Sequence, residues 1–371
     1  MSDKLTMSQR SKKVTIVDVA QLAGVSIGTV SRVLNNVGST PETRRRVHKA
    51  VEALEYVPNH AAQSLKRQST QQIAIVIPDI ANPVYVAMAK AVQQTAKAKG
   101  YSLSLISTDG NSSEEEHALE NLQRRHVDGL ILCSLRPTAK LVRELEALRS
   151  RVCIVGSLPE GSEVDNVRVD SATGAVQAVQ HLVDQGRRTI AFINGTAGTV
   201  PAEARQRGVE RALFDNHRVL KPALNVFSDF TMAGGYTAAQ TLFKRNPDID
   251  ALFCANDLMA LGALRCLREL ARRVPEDVAL VGMDDIDLGK VTTPTLTTVT
   301  LMASERGRTA AELLFDRIEG EADSEARAVK VMPRLIVRES STAHIVRPGS
   351  VRHSEDPGNG FSDNPSDDHA K

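Results

Sequence analysis

Apolar positions follow three different rhythms along the chain. Between residues 15 and 57 they mark short helices only. Ile16, Val19, Ala20 and Ala23 recur at i, i+3, i+4 and i+7, the spacing of one buried helical face. Thr15 is placed to cap that helix, with Asp18 three residues on to close a capping box. Gly24 is predicted to end it, Val25 to plug the turn and Ser26 to cap a second helix. Val30, Val33 and Leu34 form the second helix's stripe. Thr40 then caps a third helix that opens on Pro41 and buries Val47, Ala50, Val51 and Leu54. Three short helices sharing one small core predict a helix-turn-helix unit.

From residue 72 onward the rhythm changes to apolar runs alternating with amphipathic stretches. QIAIVIPDI (72–80) reads as a buried strand, followed by a helix through VYVAMAKAVQQTAKAKG to Gly100. YSLSLIST, a helix from about Ser113, DGLILCS, a helix near 138–149 and RVCIVGS complete a first series. A second series runs through TIAFING, a helix near 202–215, LNVFSDF, a helix near 232–245, ALFCAND, a helix from Asp257 and VALVGMDD. Strands alternating with helices predict parallel sheets wound on both faces, and two series predict two lobes. Ligands of such sheets bind beyond the carboxyl ends of the strands. Those ends are PDI, GS (156–157), ING, SDF, AND and MDD, where polar residues recur. After Val346 the chain is Gly, Pro, Ser, Asp and His with scarcely an apolar residue, a composition that predicts disorder.

Charge changes the picture more than overall composition does. The 371 residues carry a formal net charge of only +1, with 42% hydrophobic residues, enough for sizeable cores. Residues 1–70, however, hold eleven Lys/Arg against five Asp/Glu. Residues 71–345 hold 32 against 35, and the tail three against five. All the positive excess therefore sits with the short helices, as nucleic-acid binding requires. The exposed side of the second helix carries Ser26, Ile27, Gly28, Thr29, Ser31, Arg32 and Asn35. Short hydroxyls suit phosphates and a guanidinium suits guanine in the major groove. An ordinary three-helix packing module would need no such cluster.

The four cysteines show no C-x-x-C pairing or histidine at metal spacing and are expected as core thiols in a reducing cytoplasm. No apolar run approaches eighteen residues, and no apolar signal segment follows the first lysines, so neither export nor membrane spanning is expected. The Asp284–Asp285–Asp287 cluster lacks His or Cys at ligand spacing. No serine nucleophile motif occurs, and PDIAN stands where a Gly-rich phosphate loop would follow the first strand. No catalytic residue, cofactor or metal is expected.

T-I-V-D-V-A-Q-L-A-G-V-S-I-G-T-V-S-R-V-L-N (15–35) resembles the DNA-binding head of the lactose repressor/galactose repressor family. The resemblance continues in Y-V-P-N-H-A-A-Q-S-L-K (56–66), I-P-D-I-A-N-P-V-Y (77–85), F-C-A-N-D-L-M-A-L-G-A (253–263), V-P-E-D-V-A-L-V-G-M-D-D (274–285) and T-P-T-L-T-T-V (293–299), and so covers about residues 14–345. It implies an all-α helix-turn-helix head plus an α/β core of two doubly wound lobes, of the periplasmic-binding-protein-like type I. The implied organisation is a flexible arm (1–13), the head (14–58), a hinge helix and linker (59–70), an effector-binding and dimerisation core (71–345) and a disordered tail (346–371).

The resemblance implies a repressor acting as a homodimer on a pseudo-palindromic double-stranded DNA operator. By position, Ile27, Gly28 and Arg32 occupy the base-reading places, while Thr15, Ser26, Thr29, Ser31 and Asn35 occupy backbone-contacting or mixed ones. Ile27 touches at most a thymine methyl or a sugar and Gly28 reads nothing, so discrimination shifts to Arg32 and DNA shape. The hinge is too short to be a stable helix alone in water. Leu65 matches the family's minor-groove wedge, with Ala62 and Lys66 lining the groove and its phosphates.

For the effector, Asn82 and Tyr85 follow the first strand and Phe230 ends LNVFSDF, while Arg205, Asn256 and Asp284 align with family positions that contact ligand. Each has a structural alternative: Arg205 pairing with a helix-face carboxylate, Asn256 capping the next helix, Asp284 bracing a turn. Gly156 stands where several relatives place a carboxylate. The expected effector is a sugar or sugar derivative, with a purine-like corepressor or a protein partner left open. An uptake protein of the same core fold would need a signal peptide and no helix-turn-helix.

Overall fold

A computed structural model describes residues 14–35, 37–57, 69–323 and 325–342. The arm, the tail and the hinge residues Ala62, Leu65 and Lys66 lie outside the described residues.

The head consists of α1 (Ile16–Ala23), α2 (Ile27–Leu34) and α3 (Pro41–Ala53). The Asp18 carboxylate accepts from both the Thr15 amide (2.8 Å) and the Thr15 hydroxyl (2.7 Å). Gly24 adopts φ 63°, the left-handed conformation that closes a helix, and a Cβ there would sit 2.7 Å from Arg46 Nη2. Arg46 is placed there to serve the helix end: its Nη2 donates to the carbonyls of Ala23 (2.6 Å) and Gly24 (2.9 Å), groups a helix terminus leaves open. Val19, Ala20, Ala23, Val30, Val33, Val47 and Ala50 form the head's core, with Val25, Leu34, Val51 and Leu54 packed against it.

The remaining described chain folds into two compact units. The first contains β1 (Gln72–Ile77), α4 (Pro83–Ala98), β2 (Ser102–Ser107), α5 (Ser112–Gln123), β3 (Gly129–Leu132), α6 (Ala139–Ala147), β4 (Val152–Val155) and β5 (Asn166–Val169). The second contains α7 (Ser171–Asp184), β6 (Ile190–Asn194), α8 (Val200–Asp215), β7 (Asn225–Phe227), α9 (Met232–Arg245), β8 (Ala251–Cys254), α10 (Asp257–Glu269), β9 (Ala279–Asp284) and β10 (Thr297–Thr300). Then α11 (Ala303–Glu319) and β11 (Ala328–Val331) return to the first unit's sheet and β12 (Arg334–Ile336) to the second's.

Each unit holds a six-stranded sheet, ordered β11-β5-β4-β3-β1-β2 in the first and β12-β10-β9-β8-β6-β7 in the second. Pairing is parallel from β2 through β5 and from β7 through β10, while β12 runs antiparallel to β10. In both sheets the strand order reverses once, between β3 and β1 and between β8 and β6. These are the switch points where ligands enter doubly wound sheets.

The predicted strands and helices fall where the periodicity placed them, within a few residues at each end. Six further elements, β5, α7, β10, α11, β11 and β12, lie outside the two predicted series. Their strands are short and polar (NVRV, TTVT), so they carry no long apolar run. Sequence order also conceals that each unit is discontinuous. The first takes the chain up to Arg168 plus Ala303–Lys330, the second Val169–Met302 plus the chain from Val331.

Buried polar groups tie the returning segments into place. In the first unit Asp165 accepts from Arg317 Nη2 (2.8 Å) and Arg327 Nη2 (2.6 Å). Burial alone would push its carboxyl up, but the hydrogen bonds from Arg317 and Arg327 outweigh it and hold it below the ordinary value. In the second unit Asp257, fully buried, accepts from the Ile286 amide (2.9 Å) and Thr298 Oγ1 (2.6 Å), joining the start of α10 to the strands beside it. All four cysteines are buried and free, in keeping with the expected core thiols.

Candidate functional sites

On α2 the polar side chains form a connected row. Ser26 caps the helix, accepting from the Thr29 amide (3.2 Å), and its hydroxyl meets Thr29 Oγ1 at 2.9 Å. Arg32 Nη2 reaches Thr29 Oγ1 at 3.4 Å, so residues 26, 29 and 32 share one side of the helix. Ser26, Ile27, Gly28 and Arg32 are exposed, while Thr29, Ser31 and Asn35 are half-buried. Asn35 turns back along the helix, donating to the Ser31 carbonyl at 2.7 Å. Thr15 is exposed at the start of α1, engaged with Asp18. The apolar Ile27 is 48% exposed at the helix start, where packing gives no reason for it.

In the second unit, four of the six expected effector residues sit at carboxyl ends of strands or the helix starts that follow them. Arg205 projects from the second turn of α8, is 6% exposed, and lays its guanidinium 5.6 Å from the centre of the Phe230 ring. Phe230 takes φ 65°, and its ring fills the space left by the missing side chain of Gly195. Asn256 Nδ2 donates to the Phe230 carbonyl (2.8 Å), while its Oδ1 accepts from the Met259 amide (2.8 Å) and caps α10. The alternative given for Asn256, a helix cap, is therefore realised, together with a brace on Phe230. Asp284 ends β9 at φ 127°, a conformation rare for a side-chain-bearing residue, and is 8% exposed.

Its neighbours in sequence have other partners. Asp285 pairs with Arg338 Nη2 at 2.5 Å and Asp287 with Lys290 at 2.7 Å. Among the described residues no cluster of three or more His, Cys, Asp or Glu is arranged to hold a metal.

In the first unit, Asn82 and Tyr85 follow β1 at the switch point. Asn82 is 8% exposed and spends its Oδ1 on capping α4, accepting from the Val84 amide at 3.1 Å. Tyr85 is half-buried on the first turn of α4. The sequence reading missed Glu115, a carboxylate buried on α5. Glu114, Glu115 and Glu116 look like a solvated run, but only Glu115 shares the i, i+3, i+4, i+7 face of Ala118, Leu119 and Leu122. That spacing was the available signal.

Residues 15–59 match the family described as bacterial regulatory proteins, lacI family, and residues 179–341 match a periplasmic binding protein-like domain. The chain is similar to the HTH-type transcriptional regulator CelR of Thermobifida fusca, 37% identical over 341 residues covering 90% of this chain and 99% of that protein. Among solved structures it is similar to a transcriptional regulator CelR–cellobiose complex (TM-score 0.68, 36% identity, 88% of this chain and 100% of that one). It is also similar to the lac repressor dimer bound to operator and the anti-inducer ONPF (TM-score 0.78, 27% identity, 90% and 100%).

Proposed function

Because the chain belongs to the lacI family of bacterial regulatory proteins, we propose that it is a cytoplasmic, dimeric repressor released from its operator by a carbohydrate, and not an enzyme. The observation that carries the effector half is the assembly of Arg205 and Asn256 on the ring and carbonyl of Phe230, beside the end of β6. An aromatic face for a sugar's apolar side and a guanidinium for its hydroxyls are what a saccharide site requires. Asp284 adds an acceptor for hydroxyl hydrogens, a charge-assisted bond of about 1.5–3 kcal/mol. Asn256 acts through Phe230, which it holds in place. The similarity to a regulator solved with cellobiose makes that disaccharide the first effector to try.

The DNA half rests on the row Ser26–Thr29–Arg32 on the exposed side of α2. Arg32 reads a base edge, and Thr15, Ser26, Thr29, Ser31 and Asn35 take the backbone. Leu65 wedges the minor groove, flanked by Ala62 and Lys66, and these are assigned by family position alone. No single helix among the described residues is long and apolar enough to cross a membrane.

The reading is tested by measuring operator binding and cellobiose binding of wild type and Asp284→Ala side by side. The expected outcome is operator release by cellobiose in wild type and at least about a tenfold loss of cellobiose affinity in the variant, with operator affinity kept. A variant that folds normally and is still released at wild-type sugar concentrations removes Asp284 from the site. Sugar that tightens operator binding would instead mark a corepressor.

A further inference from the structure

Where the linker enters the first unit, one carboxylate takes four donors from three consecutive residues. Asp128 Oδ1 accepts from the Thr70 amide (2.8 Å) and the Thr70 hydroxyl (3.0 Å). Its Oδ2 accepts from the Ser69 hydroxyl (2.5 Å) and the Gln71 amide (2.9 Å). Ser69, Thr70 and Gln71 carry no apolar side chain to bury, so polar contacts fix their path. Gln71 takes φ 53°, a left-handed turn, and the Thr70 hydroxyl accepts from the Gln72 amide (3.2 Å) where β1 starts.

The residue that holds them is itself firmly seated. Asp128 directly precedes β3, and its own amide donates to the Gln72 carbonyl (2.8 Å) at the start of β1. Val127 before it is 7% exposed, and a Cβ on Gly129 after it would lie 2.8 Å from Ile318 Cδ1 of α11. Hydrogen bonds to a charged acceptor are shorter and stronger than neutral ones. Four of them on one carboxylate therefore anchor a segment that has no core of its own.

We propose that Asp128 is a positioning residue for operator recognition: it fixes the direction in which the linker leaves the first unit, and so the placing of each head on its half-site. The inference rests on the operator-binding dimer proposed above. Two heads read one pseudo-palindromic site only when their separation matches the half-site spacing. A linker free to swivel spreads the heads over many separations, and the entropy lost on binding both half-sites rises. Phosphate contacts carry no such requirement, because phosphates repeat along any duplex. Asp128 therefore acts on specific affinity and not on general attraction to DNA.

The test is fluorescence anisotropy of the full chain, at one salt concentration, on an operator duplex selected from random sequence with wild type and on a scrambled duplex of equal length. Thermal unfolding of each variant is followed alongside. Asp128→Ala is expected to lose at least about tenfold in operator affinity while its affinity for the scrambled duplex stays within about twofold. A second variant leaves β3 and the carboxylate intact: Ser69→Ala combined with Thr70→Val removes the two hydroxyl donors from the linker side. It is expected to fold as wild type and to lose at least about threefold in the same selective way. Operator affinity within about twofold of wild type in either folded variant overturns the proposal. A loss of equal size on both duplexes overturns it as well, since a purely structural role would weaken all DNA binding alike. If Asp128→Ala fails to fold, the double variant alone decides. Failure of wild type to enrich any sequence overturns the operator reading and this inference with it.

Discussion

Arg32 and Glu115 show how differently two charged residues are employed. Arg32 is exposed and, among the described residues, its guanidinium is held only by a long bond to Thr29, so it is available to a base edge. Arg32→Ala should cost about 1–3 kcal/mol of operator affinity and relax preference at one base pair in each half-site. Competition titrations with single-base operator variants check this, and a loss equal for every sequence would make Arg32 a phosphate contact. Glu115 is buried, and its carboxyl holds its proton up to about pH 7 in the folded chain against a reference of 4.5. The folded state thus binds the proton more tightly than the unfolded one. Stability from this group is complete below about pH 4.5 and is lost as pH rises towards 7. Glu115→Gln should therefore gain on wild type between pH 5 and 8, by no more than about 3 kcal/mol. Ligand-free melting temperatures at the two pH values measure it, and a constant difference would contradict the burial argument.

Elements pack here through glycine as much as through large side chains. α9 and α10 touch backbone to backbone, since a Cβ on Gly262 would run into the Met232 carbonyl and one on Gly235 into the backbone of Met259. Asn256 caps α10 and Phe230 precedes α9, so this contact also fixes the spacing of the proposed effector residues. Gly262→Ala must push the two helices apart and should destabilise by roughly 1–3 kcal/mol, as overpacked cores do. Chemical denaturation reads the midpoint. The same variant should weaken cellobiose binding although residue 262 is not proposed to touch the sugar. An unchanged midpoint would mean that the helices separate freely.

For the whole molecule, charge is divided rather than balanced. The first seventy residues carry an excess of six positive charges, and the rest of the chain more than half cancels it. If a dimer neutralises about six phosphates, operator affinity should fall with salt at a log–log slope of roughly −5. Fluorescence anisotropy across a salt series gives the slope, and a value near zero would refute a phosphate-anchored head. Effector coupling is expected on the usual scale of about 1–3 kcal/mol per site, so two sites acting together suffice to change occupancy.

Local chemistry by itself determined the head. Its helices are short, their caps are Thr15, Ser26 and Thr40, and Gly24 must be left-handed to turn the chain, so nearest neighbours specify nearly everything. The strands of both sheets were legible for the same reason: QIAIVI or ALFC is too apolar to lie anywhere but in a core. Tertiary structure alone decided what depends on distant partners. Nothing in NVRV, TTVT or the segment around α11 says which sheet it joins, because that is set by the strands each pairs with, β4 and β11 for NVRV and β9 and β12 for TTVT, with Asp165, Arg317 and Arg327 securing the return of α11. The brace that Asn256 puts on Phe230 and the seat of Phe230 over Gly195 were likewise invisible. A side chain's burial and hydrogen bonds belong to the surfaces that fold against it, and the linear sequence records only its neighbours along the chain.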